Sequence, residues 1–374
     1  MNILWFLDKE FDTALNVSAR LATIKYLEKN NNITVVATLR EEKKYLHNIR
    51  SRFIYLGKVN LPIIKTISFY YRQIKFLNKV KDIDKFNLIL VNSNNVFLLK
   101  RLIKIKNIYN FKLLLDIRSL PIERSYLKTR INNFLLKRNL EKASVHFDGI
   151  TYITDEMRRY CIKKYNLPRH KSAVWGSGVD VDLFKPQNLK NNNKFRIMYH
   201  GVISKNRGIQ NVVKALEILK AYDIEFILVG SGKGISELKN LASKFKLENK
   251  VNFKAPVSYE EVPKWINCVD VGILPLPEWE GWSTSSPIKL FEYLACGKPV
   301  ILTKIPAHFN ILSGKDFIFW ADTSSPECIA EAILKAFKNR IHFMNLGKQA
   351  RNCAKLNYSW EKQLLKLERF IKNI

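Results

Sequence analysis

Apolar residues come in short runs along the whole chain, separated by longer stretches with helical spacing. In the first half, the runs Ile3–Leu7, Ile33–Thr38, Leu88–Val91, Lys112–Asp116 and Gly149–Ile153 read as buried strands. Ser18–Lys29 and Asn94–Lys106 read as helices between them. In the second half the strand runs are Phe195–Tyr199, Ile224–Val229, Val251–Phe253, Val271–Leu274, Val300–Leu302 and Phe317–Trp320. This alternation predicts parallel sheets covered by helices on both faces. A polar stretch, Lys185–Lys194, interrupts the rhythm, which then restarts on a fresh buried strand. The expected architecture is α/β: two doubly wound Rossmann-like domains facing a cleft. The first covers residues 1–187, with a final helix at 358–374 packing back on it, and the second covers 188–357. In such folds ligands bind at the carboxyl ends of the strands.

Composition narrows the class. At 374 residues and 47% hydrophobic content, the chain can build two cores and is not intrinsically disordered. Its five cysteines lack CxxC or Cys/His spacing and read as reduced thiols of a cytoplasmic protein. No apolar run approaches a membrane span, and Asn2–Leu7, soon followed by Asp8, Glu10 and Asp12, reads as a first strand rather than a signal peptide. The net charge is +30. Residues 1–187 hold 35 Lys and Arg against 16 Asp and Glu, and the rest hold 28 against 17. Such a field attracts nucleic acid, anionic lipid or phosphorylated substrates, unless the lysines are simply a solvated surface. RNA- and DNA-binding signatures are absent, so no nucleic acid is expected as a partner.

The densest candidate chemistry lies at Ser285–Val300. Pro287 suits a first helical position and Ser285 or Ser286 a cap, so free N–H groups there could hold an anion. Glu292 follows among apolar neighbours, where a carboxylate needs a partner such as a pair of sugar hydroxyls. Upstream, the strand Phe195–Tyr199 runs into Gly201, Lys205, Arg207 and Gly208, a phosphate-binding arrangement or an ordinary basic loop. The turn Gly230-Ser231-Gly232 lacks the pattern of a P-loop but suits a tight turn beside the same site. Asp180 and Asp182 have the spacing of a metal pair but read better as turn residues. The histidines show no ligand spacing, and no metal is expected. Trp279 and Trp282 sit in an apparently irregular loop, Pro275–Ser286.

In this order the segments resemble family 4 of the retaining glycosyltransferases, which have the two-Rossmann GT-B fold. The resemblance is strongest over Gly201–Pro306 and extends to Gly178-Val179-Asp180 and to Tyr358-Ser359-Trp360-Glu361. It implies a metal-independent hexosyltransferase that needs no cofactor. The sugar would pass from a nucleotide-sugar, UDP- or GDP-linked, to a saccharide or polyprenyl- or lipid-linked acceptor. It also implies site roles. Glu292 would bind the ribose, and Lys205 and Arg207 would neutralise the diphosphate. The N–H groups over Pro287, Ile288, Lys289 and Leu290, of which Pro287 itself contributes none, would complete the anion site with Ser286. Gly201, Gly230, Ser231, Pro256 and Val257 would line the nucleotide. Thr284 stands where many members carry a Glu, eight positions before Glu292, and Val202 where a basic residue is common. The loop Asp8–Ser18 has none of the usual glycines. In the first domain, Arg118 corresponds to a segment near the reaction centre, with Asp116 orienting it. The residues alone equally allow a buried Asp–Arg pair that holds the strand end. The alternatives are a GT-B sugar-nucleotide epimerase and a basic nucleic-acid-binding protein.

Two basic stretches with helical spacing, Ile64–Lys81 and Glu123–Lys142, carry Lys and Arg together with aromatics. Basic amphipathic helices lie on anionic bilayers, so a peripheral position on the inner face of a membrane is the accompanying expectation.

Overall fold

A computed structural model describes residues 1–10, 17–38, 49–57, 62–92, 95–120, 126–187 and 194–374. The glycine-free loop after the first strand, the middle of the polar linker and Glu123–Arg124 lie largely outside these residues. The chain divides into two units: residues 1–176 with 363–374, and residues 177–362. The changeover precedes the polar linker because Val179 and Phe184 are already buried in the second unit's core.

The first unit holds seven strands: β1 (Asn2–Glu10), β2 (Asn32–Thr38), β3 (Arg52–Tyr55), β4 (Leu88–Val91), β5 (Lys112–Ile117), β6 (Gly149–Tyr152) and β7 (Ser172–Val174). They pair in parallel in the order β3-β2-β1-β4-β5-β6-β7. The central strands are unbroken runs such as Leu88–Val91, buried on both faces, as expected where helices cover both sides. β3 and β7 are edge strands with half-exposed residues, and neither shows a continuous apolar run. Helices Pro62–Lys79, Val96–Lys106 and Tyr126–His146 pack in sequence beside one another. Helix Trp360–Lys372 contributes its later residues to this unit: Glu368 accepts from the Tyr26 hydroxyl (3.0 Å) and Gln363 from Gly176 N (2.9 Å).

The second unit repeats the plan with six strands: β8 (Phe195–His200), β9 (Ile224–Val229), β10 (Val251–Lys254), β11 (Val271–Leu274), β12 (Val300–Thr303) and β13 (Ile318–Ala321). Their order is β10-β9-β8-β11-β12-β13, all parallel. The strand order reverses between β8 and β11, so the crevice beyond their carboxyl ends is the expected ligand position. Arg351, on helix Phe343–Asn357, ties distant backbone together. It donates to the carbonyls of Val181 (2.7 Å), Phe184 and Ala295 (2.8 Å), the last being the final residue of helix Ile288–Ala295.

Candidate functional site

The loops that follow β8, β9 and β11 interlock beyond the strand ends. Gly201 N donates to Val229 O (2.8 Å), and Ile203 N to Ser231 O (2.9 Å). Gly230 has φ +146°, and a Cβ on it would stand 2.0 Å from Gly201 O. Gly230 therefore lets the backbone of its loop lie against that of the loop after β8, in keeping with the tight turn expected of it. Gly208, at φ +73°, turns the chain against Pro275 O at the start of the loop after β11. Trp282 Nε1 then donates to Asn206 O (2.7 Å), and the Arg207 guanidinium lies over the Trp282 ring at 4.9 Å. The loop Pro275–Ser286 is less irregular than expected, since it contains the short helix Glu280–Ser283.

At this junction stand Arg207, Tyr199 and Lys289. Lys289 Nζ donates to Tyr199 Oη (3.1 Å) and lies 4.4 Å from that ring, while the Tyr199 hydroxyl donates to Val202 O (3.1 Å). Burial raises the Tyr199 phenol pKa, but Lys289 and Arg207 outweigh it and the net shift is down. Burial lowers the Lys289 ammonium pKa, assisted by Arg207. Among the described residues, neither cation has a carboxylate within ion-pair distance. Lys205, expected beside Arg207, turns outward instead and pairs with Glu237.

Glu292 is 4% exposed. Its Oε2 lies 3.3 Å from His200 Nε2, without hydrogen-bond geometry. Burial pushes its carboxyl pKa up to about 7, against the opposing pull of Lys289 and of the nearby Tyr259 hydroxyl. Burial, then Lys289, holds His200 well below the ordinary histidine range, so its imidazole is neutral and makes no salt bridge. Tyr259 follows the segment at Pro256 and Val257, which brings that segment close to Glu292. His200, Tyr199 and Tyr259 went unnoticed in the sequence. The aromatic and imidazole groups that end or follow strands carry no spacing signal.

The helix after this loop departs from expectation at its start. It runs Ile288–Ala295, with Pro287 as the residue before the first turn and no side-chain cap. The candidate caps are engaged elsewhere. Ser285 Oγ donates to Trp282 O (2.8 Å), and Ser286 accepts twice from Ser177, at its Oγ from the amide (3.3 Å) and at its carbonyl from the hydroxyl (2.6 Å). Thr284 is buried and donates to Glu280 O (3.1 Å), so its hydroxyl closes a turn. Leu290 enters the core, and its N–H is taken by Pro287 O (3.1 Å), leaving the amides of Ile288 and Lys289 for an anion. Asp180 Oδ1 accepts from the amides of Asp182 and Leu183, each 3.0 Å away, as a turn residue does.

In the first unit, Asp116, one residue before the end of β5, is a buried hub. Its carboxylate accepts from Asn92 Nδ2 (2.7 Å), Thr151 Oγ1 (2.6 Å) and Trp175 Nε1 (3.0 Å). Arg118 Nε is 4.0 Å from it. The Arg118 guanidinium instead donates to the carbonyls of Trp175 (2.7 Å) and Gly176 (3.2 Å) and stacks on the Trp175 ring at 3.6 Å. Burial lowers its pKa and Asp116 raises it. Asp116 is thus committed to the interior, and Arg118 fixes the segment at 175–176.

Comparison with known proteins agrees with this geometry. Residues 180–353 match the family described as Glycosyl transferases group 1. An uncharacterized glycosyltransferase of Methanocaldococcus jannaschii, MJ1069, is 27% identical over 186 residues, covering 49% of this chain and 46% of its own. The chain spans about half the length of the curated relatives it matches first. Among solved structures, sucrose-phosphate synthase from Thermosynechococcus elongatus aligns over 100% of this chain and 99% of its own. The TM-score is 0.79 and the identity 16%. Anabaena HepE in complex with UDP and glucose aligns over 99% of each chain, with TM-score 0.78 and 15% identity. Both units thus share the Rossmann-like fold of solved glycosyltransferases, and within the second unit residues 180–353 are similar to the glycosyl transferases group 1 family.

Proposed function

We propose that this chain is a retaining glycosyltransferase of family 4 that takes a sugar from a nucleotide diphosphate. The observation that carries this reading is the gathering of Arg207 and Lys289 at the Tyr199 phenol, Lys289 standing in the uncapped first turn of helix Ile288–Ala295, at the point where the second sheet reverses its strand order. A leaving diphosphate gains charge as the glycosidic bond breaks, and fixed cations and amides placed there lower the barrier without a metal. Glu292, with Tyr259 beside it, would take the ribose hydroxyls, and Gly230, Pro256 and Val257 would border the base. The UDP-bound HepE structures, which share the fold, support a nucleotide-sugar as donor.

The acceptor is a saccharide or a lipid-linked saccharide presented at an anionic membrane face. Helices Pro62–Lys79 and Val96–Lys106 contain no acidic residue. Neighbouring helices present Tyr71, Phe97 and Phe134 to solvent among lysines and arginines, with Arg138 over the Phe134 ring. Aromatics interleaved with cations suit an anionic lipid surface. Among the described residues no helix is long and apolar enough to cross a membrane.

Thermal-shift screening with UDP-, GDP- and ADP-sugars tests the donor. One of them should stabilise the protein, and Glu292→Ala should abolish the response. Release of nucleoside diphosphate, with the anomeric configuration of the product read by NMR, tests transfer and retention. No response to any donor would overturn the reading, and an inverted product would overturn the mechanism.

A further inference from the structure

The basic residue common after the first glycine of the donor loop is Val202 here, and Lys205 is drawn away by Glu237. One of the two cations expected at a diphosphate is therefore missing from the loop after β8. Its replacement comes from another element. Lys289 lies 90 residues from Tyr199 in sequence, yet its ammonium reaches the Tyr199 hydroxyl (3.1 Å). Gly201 makes this possible, because a Cβ there would stand 3.2 Å from Lys289 Nζ.

We infer that Lys289, held in place by Tyr199, is the second diphosphate cation of this enzyme, and that Lys205 is not. The inference rests on the reading of the second unit as a nucleotide-sugar site. The positioning runs through a relay of directed bonds. Val202 contributes only its carbonyl, which accepts the Tyr199 hydroxyl proton at 3.1 Å. That fixes the phenol so that a lone pair faces the Lys289 ammonium. The ring face adds a cation–π contact at 4.4 Å. Lys289 also occupies the first turn of helix Ile288–Ala295, whose opening amides lack a side-chain cap. Ammonium, open amides and the Arg207 guanidinium thus converge on one place, and no carboxylate among the described residues forms an ion pair with either cation. Two cations crowded around a buried phenol, with Glu292 acting on Lys289 only from beyond ion-pair distance, call for an anion carrying more than one charge, which a diphosphate is. Tyr199 is a positioning residue in this scheme, since it acts through Lys289.

The test uses the full chain and whichever of UDP, GDP or ADP stabilises it. Isothermal titration of that diphosphate into Lys289→Gln should show affinity weakened roughly tenfold or more, as for loss of a charge-assisted contact. Tyr199→Phe keeps the ring and should weaken binding by a smaller factor, while Lys205→Gln should change it less than about twofold. The pH profile separates positioning from mere folding. Glu292, which acts on Lys289 and has its pKa pushed up to about 7, gives wild type and all three variants a common fall near that pH; above it, wild-type affinity should fall a second time on the alkaline side as Lys289 loses its proton. That second limb should vanish in Lys289→Gln and move to lower pH in Tyr199→Phe, where the phenol no longer supports the ammonium. Lys289→Gln binding within twofold of wild type, or Lys205→Gln weakened as much as Lys289→Gln, would overturn the inference and leave the broader reading standing. Failure of all three diphosphates to bind the wild type would overturn the broader reading, and this inference with it.

Discussion

Among the described residues each unit buries one carboxyl group, Asp116 on a strand and Glu292 on a helix, and the two are treated in opposite ways. Asp116 in the first unit receives three donors, from Asn92, Thr151 and Trp175. Glu292 in the second unit has a neutral imidazole at 3.3 Å and a tyrosine hydroxyl, and its pKa climbs to about 7. A carboxylate surrounded by donors serves the fold. One that is buried without them is an expense to the fold, and such groups cluster where a ligand completes the set.

The largest effect should come from breaking the satisfied side. Asp116→Ala strands three buried donors, and denaturant unfolding should show a loss of about 3–5 kcal/mol. The unsatisfied side should respond with the opposite sign. Glu292 has its ordinary pKa near 4.5 when unfolded and about 7 when folded, so the folded state holds its proton more tightly. Its favourable contribution is complete below pH 4.5 and is lost as pH rises through 7, a change of about 3 kcal/mol at most. Glu292→Gln should therefore match wild type near pH 4.5 and unfold at a higher temperature at pH 8, while losing its response to nucleotide. A stable variant that still binds nucleotide would erase the contrast between the two acids. Arg118→Ala should cost about 1–3 kcal/mol, through the lost carbonyl bonds and the stacking on Trp175, and should leave nucleotide binding to the second unit intact. Smallest of all, Lys205→Gln removes an exposed pair with Glu237 and should change stability by less than about 0.5 kcal/mol.

Much of this was legible in the sequence, and the reasons are specific. Strands buried on both faces announce themselves as apolar runs: Leu88–Val91, Ile224–Val229 and Val271–Leu274 were read to the residue. The edge strands β3 and β7 were missed because half-exposed residues such as those of Ser172–Val174 show neither continuity nor alternation. At the candidate site, motif spacing singles out Arg207, Glu292 and Lys289, the last for its amide rather than its ammonium. The pairing of Lys205 with Glu237 and of Lys289 with Tyr199 was not readable, since each joins residues far apart in the chain with no shared period. The commitment of Ser285, Ser286 and Thr284 to local carbonyls and to Ser177 was equally hidden, because a hydroxyl's partner is decided by the path of the backbone around it.

Arg351 bears on any attempt to make a shortened version of the second unit. Its one side chain answers three carbonyls, two near the unit's first residues and one at the tail of the helix that carries Lys289 and Glu292. A fragment ending at residue 350 would leave that tail unanchored, however completely it retained the residues proposed to meet the nucleotide. A portable donor-binding module must therefore extend past this arginine, and a lysine in its place, with a single point of attachment, could not hold all three.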